Sequence, residues 1–257
     1  MNDDTVLALG GGLLGLLLGS FLNVCILRLP KDESVVRPPS RCPRCGAGIA
    51  WYDNIPVVSW LLLRGRCRQC GEAVSIQYPL IELATGLIWA GMLYRYGVGL
   101  EALRGALFFT ILLGIGMTDA KHYIIPDEFS LGGFGSGLLL SLPGGVAGIG
   151  AALLGASLGF TVLWLVGAAG KWMFKEDAMG GGDIKMMAMV GAYVGWQGVL
   201  LTIFLGALLG TIVFVPLAVL GKKRLVPFGV FLALGAAATF LVGPAVLGWY
   251  RHYLGLP

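Results

Sequence analysis

The chain has 257 residues, 57% of them hydrophobic and only 12% charged, with a formal net charge of +4. Such a composition excludes an ordinary soluble domain, and several apolar runs reach the roughly 20 residues that cross a bilayer. The expected class is an all-α polytopic membrane protein of about eight transmembrane helices carrying one small polar insertion.

A first helix is expected over residues 5–27. Asp3 and Asp4 stand where a cleavable signal would carry positive charge, so this segment reads as a retained span. Gly11, Gly15 and Gly19 recur four apart, a spacing that lets transmembrane helices approach closely. The same spacing returns at Gly155/Gly159, Gly191/Gly195 and Gly206/Gly210. Cys25, inside the first helix, reads as a small packed residue.

Residues 30–77 form the one sizeable polar segment and separate a first helix (1–29) from a membrane-embedded core (78–257). The insertion holds Cys42-Pro43-Arg44-Cys45-Gly46 and Cys67-Arg68-Gln69-Cys70-Gly71. Each Cys-x-x-Cys turn puts two thiolates on one side, and two such turns complete a tetrahedron, so the insertion should be zinc-ribbon-like. Four thiolates leave no open coordination position, which makes the expected zinc structural. Its binding would supply folding energy that so short a segment cannot draw from a core.

Further helices are expected at 78–97, 102–119, 128–143, 146–169, 184–195, 197–220 and 228–250. Pro143-Gly144-Gly145 marks a tight turn between two of them. Glu82 is an acidic group inside the first of these runs, readable as a buried carboxylate satisfied by a neighbouring helix. Asp119 ends the next, and Asp183 follows the glycines 180–182 at the head of another. An ionisable group at membrane depth costs several kcal/mol, on the order of 3, unless a partner or cavity relieves it. Asp127 and Glu128 have an ordinary explanation, since they follow Pro126 in the first turn of a helix, where negative charge suits the dipole. Asp119 has none, and Asp183 has either a capping role or a chemical one. If the two meet, they share a proton more readily than both ionise. The ionised member can then deprotonate water while the protonated one polarises a carbonyl, which is acid–base peptide hydrolysis.

Charge sets the orientation. With the N-terminus outside, segments 28–77, 119–127, 170–185 and 221–227 face the cytoplasm and hold fifteen of the eighteen Lys and Arg, leaving Arg95, Arg104 and Arg251 opposite. Asp119, Asp183 and the insertion then share the cytoplasmic face. The net charge is accounted for by basic loops at a membrane surface and needs no nucleic acid.

Phe21-Leu22-Asn23-Val24, Arg28-Leu29-Pro30, the two cysteine turns, Asp53-Asn54-Ile55-Pro56, Ser59-Trp60-Leu61, Arg64-Gly65-Arg66-Cys67 and Tyr78-Pro79-Leu80-Ile81-Glu82 run through the first third of the chain. Asp119, Ile125-Pro126-Asp127 and Gly180-Gly181-Gly182-Asp183-Ile184-Lys185 follow. In these the chain resembles the bacterial type IV prepilin peptidases, GxGD-type aspartic membrane proteases of the inner membrane, over nearly its whole length. The resemblance implies that Asp119 and Asp183 are the catalytic pair. It implies cleavage of a short basic leader from prepilins and type II secretion pseudopilins, and N-methylation of the new terminus with S-adenosylmethionine. Glu82 is the candidate for holding the substrate amine or the methyl donor. Asp32, Glu33, Asp53 and Glu72 are candidates for attracting the basic leader.

Other readings fit less. Gly155-Ala156-Ser157-Leu158-Gly159 matches a serine-nucleophile pattern but lies in an apolar helical run, not at a strand-to-helix elbow. The chain's two histidines, His122 and His252, form no His-Glu-x-x-His. A transporter or scaffold with a zinc-ribbon docking module is the non-enzyme alternative, because intramembrane carboxylates also relay protons.

Overall fold

The computed structural model describes residues 3–175, 179–219 and 227–253. Lys222, Lys223 and Arg224, which the charge argument used, lie outside the described residues. The protein is helical and divides into two compact units, Met1–Thr110 and Ile111–Pro257.

The first unit contains α1 (Asp3–Arg28), the short α2 (Val58–Leu62), α3 (Gln77–Tyr96) and the first half of α4 (Leu100–His122). The glycine spacing in α1 does what it promised. A methyl group on Gly15 would lie 2.6 Å from the Thr85 carbonyl oxygen, and one on Gly19 would lie 2.7 Å from Glu82 Cα. Gly11 meets Leu93 and Trp89 further along. Thus α1 and α3 run antiparallel with their main chains in contact, an approach that any larger residue would block. Cys25 is buried, as expected of a packed residue. Trp89 and Met92 pack on Ala102 and Ala106, and Trp89 Nε1 donates to Thr110 Oγ1 at 3.1 Å.

The second unit holds the rest of α4, then α5 (Asp127–Leu139), α6 (Gly145–Phe174), α7 (Gly181–Val219) and α8 (Phe228–Tyr253). Here α6 packs against α7 through Gly155 on Gly191 and Gly159 on Met187, again main chain to main chain. This explains the Gly-x-Ser-x-Gly match: its two glycines are buried helix contacts, and Ser157 points outward. Beside them, α5 runs parallel to the first part of α7, with Gly133 on Met189 and Ser136 hydrogen-bonded to the Tyr193 hydroxyl at 2.8 Å.

α7 cannot be one rod. Straight, its 39 residues would span about 58 Å, against a hydrocarbon core of about 30 Å. Its start lies beside α8's start, because Ile125 touches both Gly182 and Gly229. Its end lies there too, because Thr202 bonds Thr239, Gly206 meets Leu232 and Phe214 meets Phe231 in antiparallel register. The chain therefore folds back on itself, and it does so at Gly195, with φ 71° and ψ 177°, a conformation essentially confined to glycine.

Among the described residues five stretches are long and apolar enough to cross a membrane: Asp3–Lys31, Leu100–His122, Asp127–Met173, Gly181–Pro216 and Phe228–Tyr250. Two of them contain a reversal, at the Leu142–Gly144 turn and at Gly195. α3 is helical but is not among these five stretches; with it and these breaks, the helical segments fall near the positions expected from sequence, while the stretches shown able to span number five, not eight, among the described residues. The expected helix 128–143 ends early, at Leu139, since residues 142–144 wind into the turn, and the next extends to Phe174. The short α2 was not foreseen: five residues are too few to show a period.

Candidate active site

Asp119 lies near the C-terminal end of α4 and is buried. Its Oδ2 accepts a hydrogen bond from the Val230 N–H at 3.1 Å, and the Gly229 N–H also donates to the carboxylate. Both amides belong to the first turn of α8, where N–H groups have no partner within the helix and the dipole favours an anion. The glycine is required here: a methyl group on Gly229 would sit 2.8 Å from Asp119 Oδ2 and 2.8 Å from Ile125 Cδ1. Sequence reasoning missed Gly229 and Val230. The signal was available in Pro227-Phe228-Gly229 at a helix start, but nothing local names the carboxylate it receives.

Asp183 opens α7. Its N–H donates to the Gly180 carbonyl at 3.2 Å, and its carboxylate accepts from the Gly180 N–H, so the local cap exists. The cap does not use the whole group. Asp183 Oδ1 is buried and has no hydrogen-bond partner among the described residues. Asp183 is near enough for the Asp119 charge to act on it, and the Ile125 side chain meets both Gly182, next to Asp183, and Gly229, against the Asp119 carboxylate. Gly182 serves this placement by packing under Ile125, whose Cβ would be 2.9 Å from an added methyl group. Lys185 Nζ bonds both oxygens of Asp127 at 2.8 Å, tying the start of α7 to the start of α5.

In the first unit, Cys42, Cys45, Cys67 and Cys70 place their sulfurs within 4.8 Å of one another. Cys42 and Cys70 Sγ are 3.8 Å apart, matching the edge of about 3.8 Å in a tetrahedron with metal–sulfur bonds of about 2.3 Å. The donor set thus fits a four-thiolate metal. The two turns are copies of each other. Gly46 N–H donates to Cys42 O and Gly71 N–H to Cys67 O, both at 2.9 Å. The β-bridges Arg41–Gly48 and Arg66–Ala73 stand at the same offsets, and both glycines have φ near 70°. Backbone N–H groups of Cys45 and Arg44 pull the Cys42 thiol down to about 6. At Cys70 the Glu72 N–H favours the thiolate, yet burial and three neighbouring sulfurs push the thiol up to about 12. The cluster resists holding four negative sulfurs unless a cation compensates them.

Two of the four acids in the insertion are engaged by its own arginines. Asp53 takes a bidentate pair from Arg68, at 2.6 and 2.8 Å, which holds its carboxyl below the usual range. Glu72 pairs with Arg44 at 3.3 Å. Glu82 is buried; its Oε2 accepts from the Val57 N–H at 2.7 Å, and Ser20 also bonds the carboxylate. Val57 is the centre of a three-residue turn closed by Val58 N–H to Pro56 O, with φ 62°. A β-branched residue there is strained. Nearby on α1, Asn23 donates to the Gly19 and Tyr78 carbonyls, and its own Oδ1 is buried without a partner among the described residues.

The fold and these residues define a polytopic helical membrane protein, with two carboxylates at helix ends in one unit and a four-cysteine cluster in the other. Comparison with known families makes this specific. The bacterial peptidase A24 N-terminal domain matches residues 13–96, and the type IV leader peptidase family matches residues 106–215. The prepilin leader peptidase/N-methyltransferase of Aeromonas hydrophila is 35% identical over 93% of this chain and 91% of its own length. That of Neisseria gonorrhoeae is 35% identical over 93% of each. That of Myxococcus xanthus is 42% identical over 78% of this chain and 60% of its own length. No solved structure matches. The chain belongs to the type IV leader peptidase family.

Proposed function

We propose that this protein cleaves the short basic leader from prepilins and pseudopilins at the cytoplasmic face of the inner membrane, with Asp119 and Asp183 as the catalytic pair, and methylates the new N-terminus. The observation that carries the cleavage reading is the juxtaposition of the two carboxylates, one seated on the α8 amides and the other with a buried oxygen left over. In this reading one carboxylate is ionised and the other protonated. The ionised one takes a proton from water as the water oxygen attacks the scissile carbonyl carbon. The protonated one gives its proton to the carbonyl oxygen. As the tetrahedral intermediate collapses, the C–N bond breaks, the amine leaves with a proton from the first carboxyl group, and the second carboxylate takes back a proton from a hydroxyl of the intermediate, restoring the starting pair. Carboxylates alone would also suit a proton-relaying transporter, but the peptidase family and the curated relatives named above favour the enzyme.

The four cysteines would hold structural zinc, which supplies no chemistry beyond fixing the fold of the insertion. S-adenosylmethionine is the proposed methyl donor. Glu82, with Ser20 and the unpartnered Asn23 Oδ1 nearby on α1, is the group suited to an ammonium ion of donor or substrate. Eight crossings are proposed, the short ones being α5 and residues 181–194, with the N-terminus periplasmic. The excess of Lys and Arg at 28–77 supports this orientation. Purified protein in detergent, given a synthetic leader-bearing pilin and labelled S-adenosylmethionine, tests the reading by mass spectrometry. Clipping and the added methyl group register as separate mass changes, and an intact pilin under all conditions would refute the assignment.

A further inference from the structure

The insertion carries an apolar face that its polar composition hides. On α2, Val58, Leu61 and Leu62 sit at i, i+3 and i+4, which puts them on one side, and all three are exposed, Leu62 by 78%. Ser59 and Trp60 point the other way: Ser59 Oγ donates to Tyr52 O, and Trp60 Nε1 donates to Val74 O. Trp51 adds an indole that is 81% exposed.

The depth of this face follows from one hydrogen bond. Val57 N–H, just ahead of α2, is 2.7 Å from Oε2 of Glu82. Glu82 lies in the second turn of α3, whose outward residues at that level are the exposed Leu80 and Leu83, with Leu87 a turn further on. Opposite them α1 shows the exposed Phe21, next to the Gly19–Glu82 contact. The start of α2 therefore stands at the level of the exposed apolar residues of two helices expected to lie in lipid. At the far end of α2 come Arg64 and Arg66, both exposed and without an ion pair among the described residues.

We propose that α2 and Trp51 form an interfacial element that rests in the bilayer, with Val58, Leu61 and Leu62 among acyl chains, Trp51 at the headgroup level and Arg64 and Arg66 against anionic lipid phosphates. Apolar residues on one face, an aromatic at the boundary and basic residues beside it are the features of a helix lying in a membrane interface, and an anionic leaflet attracts a juxtamembrane arginine. The zinc-ribbon-like insertion is then seated on the membrane and does not hang from two tethers.

The test is photo-crosslinking of full-length protein in nanodiscs of phosphatidylethanolamine and phosphatidylglycerol. Benzoylphenylalanine is placed at Leu62, at Leu87 as a lipid-facing reference and at Arg44 on the first cysteine turn. Because Leu62 is exposed, the replacement leaves packing undisturbed. Lipid-mass adducts at position 62 in yield comparable to position 87, and none at 44, are expected. Adducts at 87 without adducts at 62 would overturn the proposal. So would adducts at 62 that shift from lipid to an added pilin substrate, since that outcome makes the face a substrate dock.

Discussion

Asp119 Oδ2 accepts the Val230 N–H across 111 residues of sequence, at 3.1 Å. A carboxylate at the end of one membrane helix is thus seated on the free amides that begin another, which relieves the cost of placing it there. Asp183, by contrast, keeps a buried oxygen without a partner among the described residues. This asymmetry separates the two groups in ways that mutation can read.

Asp119→Asn and Asp183→Asn should each reduce leader cleavage by roughly 10²–10⁴-fold, the usual worth of a positioned acid or base. Both variants preserve shape, so they should elute as monodisperse protein with melting temperatures close to the parent. Retained cleavage in either variant would remove that residue from the catalytic pair.

Gly229→Ala tests the seat itself. Its methyl group would stand 2.8 Å from Asp119 Oδ2 and from Ile125 Cδ1, so the carboxylate must move. A displacement of about 1 Å at a catalytic group costs on the order of 10²-fold in rate. The loss should fall on kcat with KM for the pilin unchanged, measured by quantified cleavage at several substrate concentrations.

Gly195→Val should cost about 1–3 kcal/mol, because φ 71° with ψ 177° is closed to a β-branched residue. The readout is a lower melting temperature in detergent. A variant as stable as the parent would mean that the fold-back of α7 lies elsewhere.

The metal site should lose its ion as pH falls, because each thiolate must be free of a proton to bind. Backbone amides hold the Cys42 thiol down at about 6, while burial and the neighbouring sulfurs push Cys70 up to about 12 without a cation. Metal content by mass spectrometry should be one ion per chain at neutral pH and should fall when the protein is equilibrated below pH 6 with a chelator. Cys70→Ser should abolish stoichiometric binding.

Arg68→Ala removes the partner that holds the Asp53 carboxyl below its ordinary range. Because the folded value is depressed, this pair stabilises the insertion above the unfolded carboxylate range and ceases to do so as pH drops through the folded value. The parent and variant should therefore differ near neutral pH and converge in strong acid, as read by hydrogen exchange in residues 40–74.

Much of this architecture was legible in the sequence because membrane helices announce themselves by unbroken apolarity. The break between residues 195 and 197 was expected, but Gly195 read only as a small residue for helix approach, and the positive φ that makes the turn there is not visible in glycine spacing. The four cysteines were readable because their spacing carries the geometry of the turn. The seat of Asp119 was not, since it depends on amides 111 residues away that every helix start possesses. Nor was the Lys185–Asp127 pair, because Asp127 had a sufficient local explanation at its helix start and nothing near Lys185 pointed to it. Nor was α2, whose apolar face appears only once Ser59 and Trp60 are seen to point inward.

The seating of Asp119 also carries a consequence for biogenesis. Synthesis proceeds from the N-terminus, so a nascent chain delivers both aspartates to the bilayer before Gly229 and Val230 have left the ribosome. Until α8 arrives, Asp119 lacks the amides that hold it. The last helix to be made therefore supplies the seat of Asp119, and a half-inserted chain lacks it.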